Sequence, residues 1–236
     1  MTDDAAEDRL PSRDLVDVRL AAAIKLGGCA VCAVRARSEL ATLDAIIAER
    51  VLDVGFREGL ERDHGFCRRH SAALLDADRR ASSILGSSIL FGAIIERRTA
   101  ELRAALASRG RRRRQRLAVA RRRPPCLACD QGVSAVEIAL ARLVERSEDP
   151  AWTAVMLEIP FCLDDLGALL AAAGDKTAFG PIAEHHLMRL EGLRVRLDGY
   201  VHHSAQDRRH LLTDAERAAA DEAARLLSGK SGSSAH

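Results

Sequence analysis

All six cysteines of this 236-residue chain fall in four short places. Two are C-x-x-C turns, Cys29-Ala30-Val31-Cys32 and Cys126-Leu127-Ala128-Cys129. The other two are Gly65-Phe66-Cys67-Arg68-Arg69-His70 and Pro160-Phe161-Cys162-Leu163-Asp164-Asp165. A C-x-x-C turn brings two sulfurs close enough to grip one ion. Cys67 and His70, three apart at the start of a helix, share a face. Taken in chain order, Cys29, Cys32, Cys67 and His70 make a Cys3His set, a standard donor set for tetrahedral zinc. Cys126, Cys129, Cys162 and Asp165 make a less usual Cys3Asp set. There, Asp165 ligates, or His185 or His186 replaces it, or the fourth position stays open. One or two zinc ions are the expected cofactors, and an iron–sulfur cluster is the competitor that spacing alone does not separate. Buried cysteines without metal are the plain alternative, stronger for the second set than for the first.

These residues need a helical frame. Ala, Leu, Arg and Glu dominate, aromatics make up only 3% of residues, and few stretches alternate with a period of two. The expected class is all-α. A first helix is predicted from a Ser12 cap to about residue 26, stopped by Gly27-Gly28. A long helix over about 34–62 carries Leu40, Leu43, Ile47, Val51 and Val54 as one stripe. A short helix opens at Phe66-Cys67. Another, over about 81–108, has a wide apolar face of Ile84, Leu85, Ile89, Phe91, Ile95, Leu102 and Leu106. In the second half, helices are predicted at about 132–146, from an Asp149-Pro150 start through 158, from Phe161-Cys162 to Gly174, and at about 181–201. The 181–201 helix carries Leu187, Leu190, Leu193, Leu197 and Val201. A capping box at Thr213–Glu216 starts a last helix that Gly229 ends.

The halves repeat. Cys29 and Cys126 are 97 residues apart, as are Cys32 and Cys129, while Cys67 and Cys162 are 95 apart. The expected architecture is two tandem helical repeats, each with a CxxC…FCxx(H/D) knuckle. Residues 1–11 form a disordered start, 12–108 the first Cys3His unit, 109–125 an Arg-rich linker ending at Pro124-Pro125, 126–228 the second Cys3Asp unit, and 229–236 a disordered tail.

The pattern C-x-x-C, a long helical insert, then G-F-C-x-x-H, with a degenerate second copy, resembles an uncharacterised family of bacterial proteins of about this length. The resemblance rests on Cys29, Cys32, Gly65, Phe66, Cys67 and His70, and extends to the C-terminal helix after Tyr200. Pro160 and Asp165 depart from it in the second copy. It implies the sites and the fold, and no activity.

Composition bounds the rest. No secretory leader or membrane-length apolar run is visible, so a cytoplasmic protein with reduced cysteines and no membrane association is expected. The net charge is +2. Nine Arg and no Asp or Glu lie between Arg109 and Arg123, which leaves the rest of the chain at −7. That run is either a solvated linker or a nucleic-acid contact. Pro125-Cys126-x-x-Cys129 matches half of a zinc deaminase signature, but neither H-x-E nor C-x-E occurs in the chain. No βαβ setting accompanies the C-x-x-C turns, against a thiol–disulfide enzyme. His185-His186 and His202-His203 read as packed or solvated residues, and Glu49, Asp53 and Arg57 as a charge row. The function expected is a metal-binding, non-catalytic module acting through a protein partner. A redox- or metal-responsive regulator touching nucleic acid through Arg109–Arg123 is the first alternative. A metal-dependent enzyme using the second site is the second; a pocket beside Cys162 and Asp165 lined by titratable groups would favour it.

Overall fold

The computed structural model describes residues 10–120 and 125–229; the expectations for 1–9, 121–124 and 230–236 lie outside them. The described residues are helical, with no strand among them. In chain order the helices are α1 (Leu15–Ile24), α2 (Ala30–Ala45), α3 (Val54–Arg62), α4 (Arg68–Arg80), α5 (Leu85–Leu106), α6 (Gly110–Ala120), α7 (Leu127–Glu145), α8 (Pro150–Glu158), α9 (Leu163–Ala173), α10 (Gly180–His203) and α11 (Asp214–Ser228).

The ends follow local chemistry. Asp14, and not Ser12, caps α1, accepting from the N–H groups of Val16 and Asp17 at 2.9 and 3.2 Å. The helix expected over 34–62 is broken. α2 runs into a π turn at Ile46–Arg50, and Asp53 then caps α3 by accepting from Phe56 N at 3.0 Å. Asp53 is thus a helix cap, also paired with Arg50, and not part of a charge row. Asp149-Pro150 starts α8, and the capping box of Thr213 and Glu216 starts α11, both as the sequence indicates. α7 begins at Leu127, so Cys129 lies within its first turn and not ahead of it.

The chain separates into two compact units, residues 1–35 with 135–236, and residues 36–134. The division falls inside α2 and inside α7, so each of these helices begins in one unit and ends in the other. The first unit is built around Trp152, Leu20, Leu143, Met156, Leu169 and Ile182, with Cys29 and Cys162 in the same cluster. The second is built around Leu43, Leu74, Leu90 and Phe66, with Cys126 among them. Both cores therefore include cysteines of the candidate sites.

Two expectations about faces change. Residues 110–120 of the Arg-rich stretch are a helix packed on α5, where Arg98 donates to the Ala120 carbonyl and Arg116 to that of Ala104. Arginine is a good helix former, which explains why a charge run does not read as loop. α5 turns Leu90 and Ile94 inward but leaves Leu85, Ile95, Leu102 and Leu106 exposed, so only part of its wide apolar face serves its own unit. On α10, Ile182, His186 and Leu193 face the core, while Leu187 and Val201 are exposed.

Candidate metal centres

Each knuckle cysteine is the N-cap of a helix. Cys67 precedes α4 at φ −65°, ψ 164°, and Cys162 precedes α9 at φ −68°, ψ 160°. In both, extended backbone turns into helix at the sulfur, and the residue three further on returns to the same side. The turn before Cys67 needs Gly65: its φ is +87°, and a Cβ there would sit 2.8 Å from Ile94 Cδ1. Phe66 and Phe161, both buried, anchor the two turns in their cores.

The structure gathers all eight candidate ligands into two groups, but it crosses the sets read from chain order. Cys67 and His70 meet Cys126 and Cys129; Cys162 and Asp165 meet Cys29 and Cys32. The tandem grouping of Cys29 and Cys32 with Cys67 and His70 is therefore corrected, and with it the division into a 12–108 Cys3His unit and a 126–228 Cys3Asp unit. The cause is helix length. The C-x-x-C turns open α2 and α7, of 16 and 19 residues. At 1.5 Å per residue these carry the chain about 24 and 29 Å away from the cysteines. Each turn is thus completed by a knuckle of its own compact unit and not by the next knuckle in sequence.

In the histidine site, Nδ1 of His70 lies 3.4, 3.2 and 3.3 Å from the sulfurs of Cys67, Cys126 and Cys129, and the Cys67 and Cys129 sulfurs are 3.7 Å apart. Nε2 of His70 faces Glu39 Oε2 at 3.3 Å, and Oε1 of the same buried carboxylate receives Arg69 at 2.7 Å. A carboxylate at Nε2 favours the tautomer that keeps its proton on Nε2 and presents the Nδ1 lone pair to the sulfurs, the usual outer-shell arrangement for a metal-bound histidine. Gly132 makes room for it, since a Cβ there would lie 2.7 Å from Glu39 Oε1 and 2.8 Å from its Cγ. Sequence reasoning missed Glu39 and Gly132. The one signal was an acidic residue and a glycine in helical stretches, which is too common to single out.

In the aspartate site, a single oxygen, Oδ2 of Asp165, lies 3.1, 2.9 and 3.1 Å from the sulfurs of Cys29, Cys32 and Cys162. The Cys32 and Cys162 sulfurs are 3.6 Å apart. Gly229, the left-handed cap of α11, closes this site: a Cβ on it would meet Cys32 Sγ at 2.5 Å and Cys162 Sγ at 3.5 Å. The histidines named as replacements for Asp165 are elsewhere. His186 is buried with Nε2 2.9 Å from the Met156 carbonyl oxygen and its ring edge-on to Phe161, and His185 packs against His186. His203 pairs with Glu216, and His202 sits beside Arg208.

All six thiols are free, and in each group the ligand atoms lie within 4.8 Å of one another. Two sulfurs bound at about 2.3 Å to one tetrahedral ion stand about 3.8 Å apart, close to the separations found. Electrostatics in the groups is frustrated. The Cys162 thiol is held far below its ordinary value by the thiols of Cys29 and Cys32, while Cys29 is pushed up to about 12, chiefly by Cys162. Burial, then Cys67 and Cys126, pushes Cys129 up to about 12. Burial raises Asp165. Burial also acts against ionising Cys67, but the amides of His70 and Arg69 at the start of α4 and the thiols of Cys129 and Cys126 outweigh it and lower its pKa. Four donors this close cannot all shed their protons unless a cation compensates, and a bound cation lets them. The donor sets therefore fit a single metal ion each.

A cavity of about 200 Å³ adjoins the aspartate site and is lined by Cys29, Phe161, His186, Arg189, Glu222 and Arg225, among others. Neither Cys162 nor Asp165 lines it. Among the described residues no helix is long and apolar enough to cross a membrane.

The chain is thus an all-α protein with two candidate metal centres. No protein-family model matches it, and neither does any curated protein or solved structure.

Proposed function

We propose that this is a cytoplasmic zinc-binding scaffold whose two ions hold a helical fold that works by interaction and not by catalysis. The observation that carries this is the packing of four donor atoms around one point, twice, with the histidine of one site fixed by Glu39. Three features support zinc. Thiolate-rich tetrahedral sets suit it. The short separations suit one ion, whereas an iron–sulfur cluster spreads its thiolates over several irons. Of the titratable groups lining the cavity beside the aspartate site, Glu222 is engaged by Arg196 at 2.6 Å and His186 by the Met156 carbonyl. That engagement supports a structural role for the neighbouring site over an acid–base one. Elemental analysis of untagged full-length protein tests the reading. Two zinc per chain is expected, falling to one in Cys67→Ser and to one in Cys162→Ser. Iron with acid-labile sulfide, or no metal, would overturn it.

A second reading concerns α6. Arg111, Arg112, Arg113 and Arg114 are all exposed, and none has an ion-pair partner among the described residues. A helix with that many uncompensated guanidinium groups suits a phosphate backbone. With Arg109 included, five phosphate contacts would lower affinity roughly 10²- to 10³-fold between 50 and 200 mM salt. Fluorescence anisotropy with a labelled duplex and a labelled RNA hairpin checks this. Absent or salt-insensitive binding removes it.

A further inference from the structure

The apolar surface that α5 does not spend on its own unit has a repeat of its own. Leu85, Ser88, Gly92, Ile95, Thr99, Leu102 and Leu106 follow one another by three and four residues along all 22 residues of the helix. Leu85 is 67% exposed, Ile95 63% and Leu106 62%; Leu102 is also exposed, and a Cβ on Gly92 would meet nothing within 4 Å. This 3-4 spacing is that of a coiled-coil seam. The inward residues Ser87, Leu90 and Ala105 occupy a different side of the helix, and α6 is fixed to α5 through Arg98 and Ala104.

We propose that α5 is a homodimerisation face, and that its partner is a second copy of the same helix lying antiparallel. The seam is complementary to its own reverse. Laid antiparallel about the point midway between Gly92 and Ile95, Leu85 of one chain faces Leu102 of the other, Ser88 faces Thr99, and Ile95 projects over the space left by Gly92. Apolar meets apolar, hydroxyl meets hydroxyl, and the branched side chain fills the gap at the glycine. Each contact occurs twice, as a two-fold interface requires. A parallel pairing would instead set Gly92 against Gly92 and waste that fit. The residues that overlap in this pairing, 85–102, span about 27 Å; with a helix's ~10–12 Å width that strip is about 300 Å² per copy, below the standard size and in the range of weak, transient contacts. The dimer therefore dissociates on dilution.

Sedimentation velocity on the full-length, metal-loaded protein over a series from ~1 to ~200 μM tests this. Wild type is expected to pass from monomer to dimer across the series. Ile95→Glu and Leu102→Glu should weaken dimerisation at least ten-fold with metal content and helicity unchanged. Val195→Glu, an equally exposed apolar position on α10, should dimerise like wild type. Gly92→Ile sets the orientation: it weakens the antiparallel dimer by filling the space Ile95 needs, and would strengthen a parallel one. Wild type that stays monomeric throughout, variants Ile95→Glu and Leu102→Glu that still dimerise, or a tighter Gly92→Ile dimer would each overturn the proposal.

Discussion

His70 owes its role to a residue outside both motifs. Glu39 receives its Nε2 side, so the ring offers Nδ1 to the three sulfurs. Glu39→Gln is expected to weaken metal binding at the histidine site by about 10- to 100-fold and to leave the aspartate site unchanged, as read by competition with a coloured chelator. Gly132→Leu, which drives a side chain into the space of Glu39, should act in the same direction. The crossed pairing makes a sharper prediction. Cys32→Ser and Cys162→Ser together should lose one metal, no more than either does alone, because both sulfurs face one ion. Cys32→Ser with Cys67→Ser should lose two. Pairing in chain order predicts the reverse, and elemental analysis of the two double variants decides between them.

At the scale of elements, the helix ends hold the sites. α11 finishes on Gly229, whose left-handed backbone lets the chain pass directly over Cys32 and Cys162. Gly229→Val combines a strained φ, worth about 1 kcal/mol, with a collision at Cys32 Sγ. Faster zinc release from the aspartate site and early hydrogen exchange in the last turn of α11 are the expected results. α1 is tied to α7 and the turn after it through Asp17, which is fully buried and paired with Arg146 and Arg142. Burial pushes the Asp17 carboxyl up, but the Arg13 amide and the two guanidinium groups outweigh that and leave it below the ordinary value of 3.8. Its contribution to stability is therefore complete above pH 3.8 and lost as pH falls through the lower folded value. Asp17→Asn should cost ~3–5 kcal/mol in urea unfolding at neutral pH, since it strands a buried guanidinium.

For the whole molecule, each core contains candidate ligand cysteines, so a metal bound there would be coupled to core packing. Structural zinc in small peptides is worth ~10–16 kcal/mol at neutral pH, against ~5–15 kcal/mol for the net stability of a domain. Chelation is expected to lower Tm substantially and to broaden the melt, with near-ultraviolet circular dichroism of Trp152 reporting the first unit. A melt unchanged by a strong chelator would show that the apolar cores suffice without the ions.

The sequence by itself determined the helical class, most helix starts, and the eight side chains that the structure gathers into two groups. These are local matters: capping side chains, glycine and proline at ends, and thiols at a helix N-terminus act over three or four residues. It also exposed the four-residue knuckles, because Phe66-Cys67 and Phe161-Cys162 carry their geometry with them. Only the tertiary structure decided which candidate ligands come together, that Glu39 stands behind His70, that Asp53 breaks the long helix, and that Gly229 lies on the aspartate site. Those depend on where helices of some 24 to 29 Å deliver the chain, and a repeat read at fixed offset looks the same whether its halves keep their own turns or exchange them.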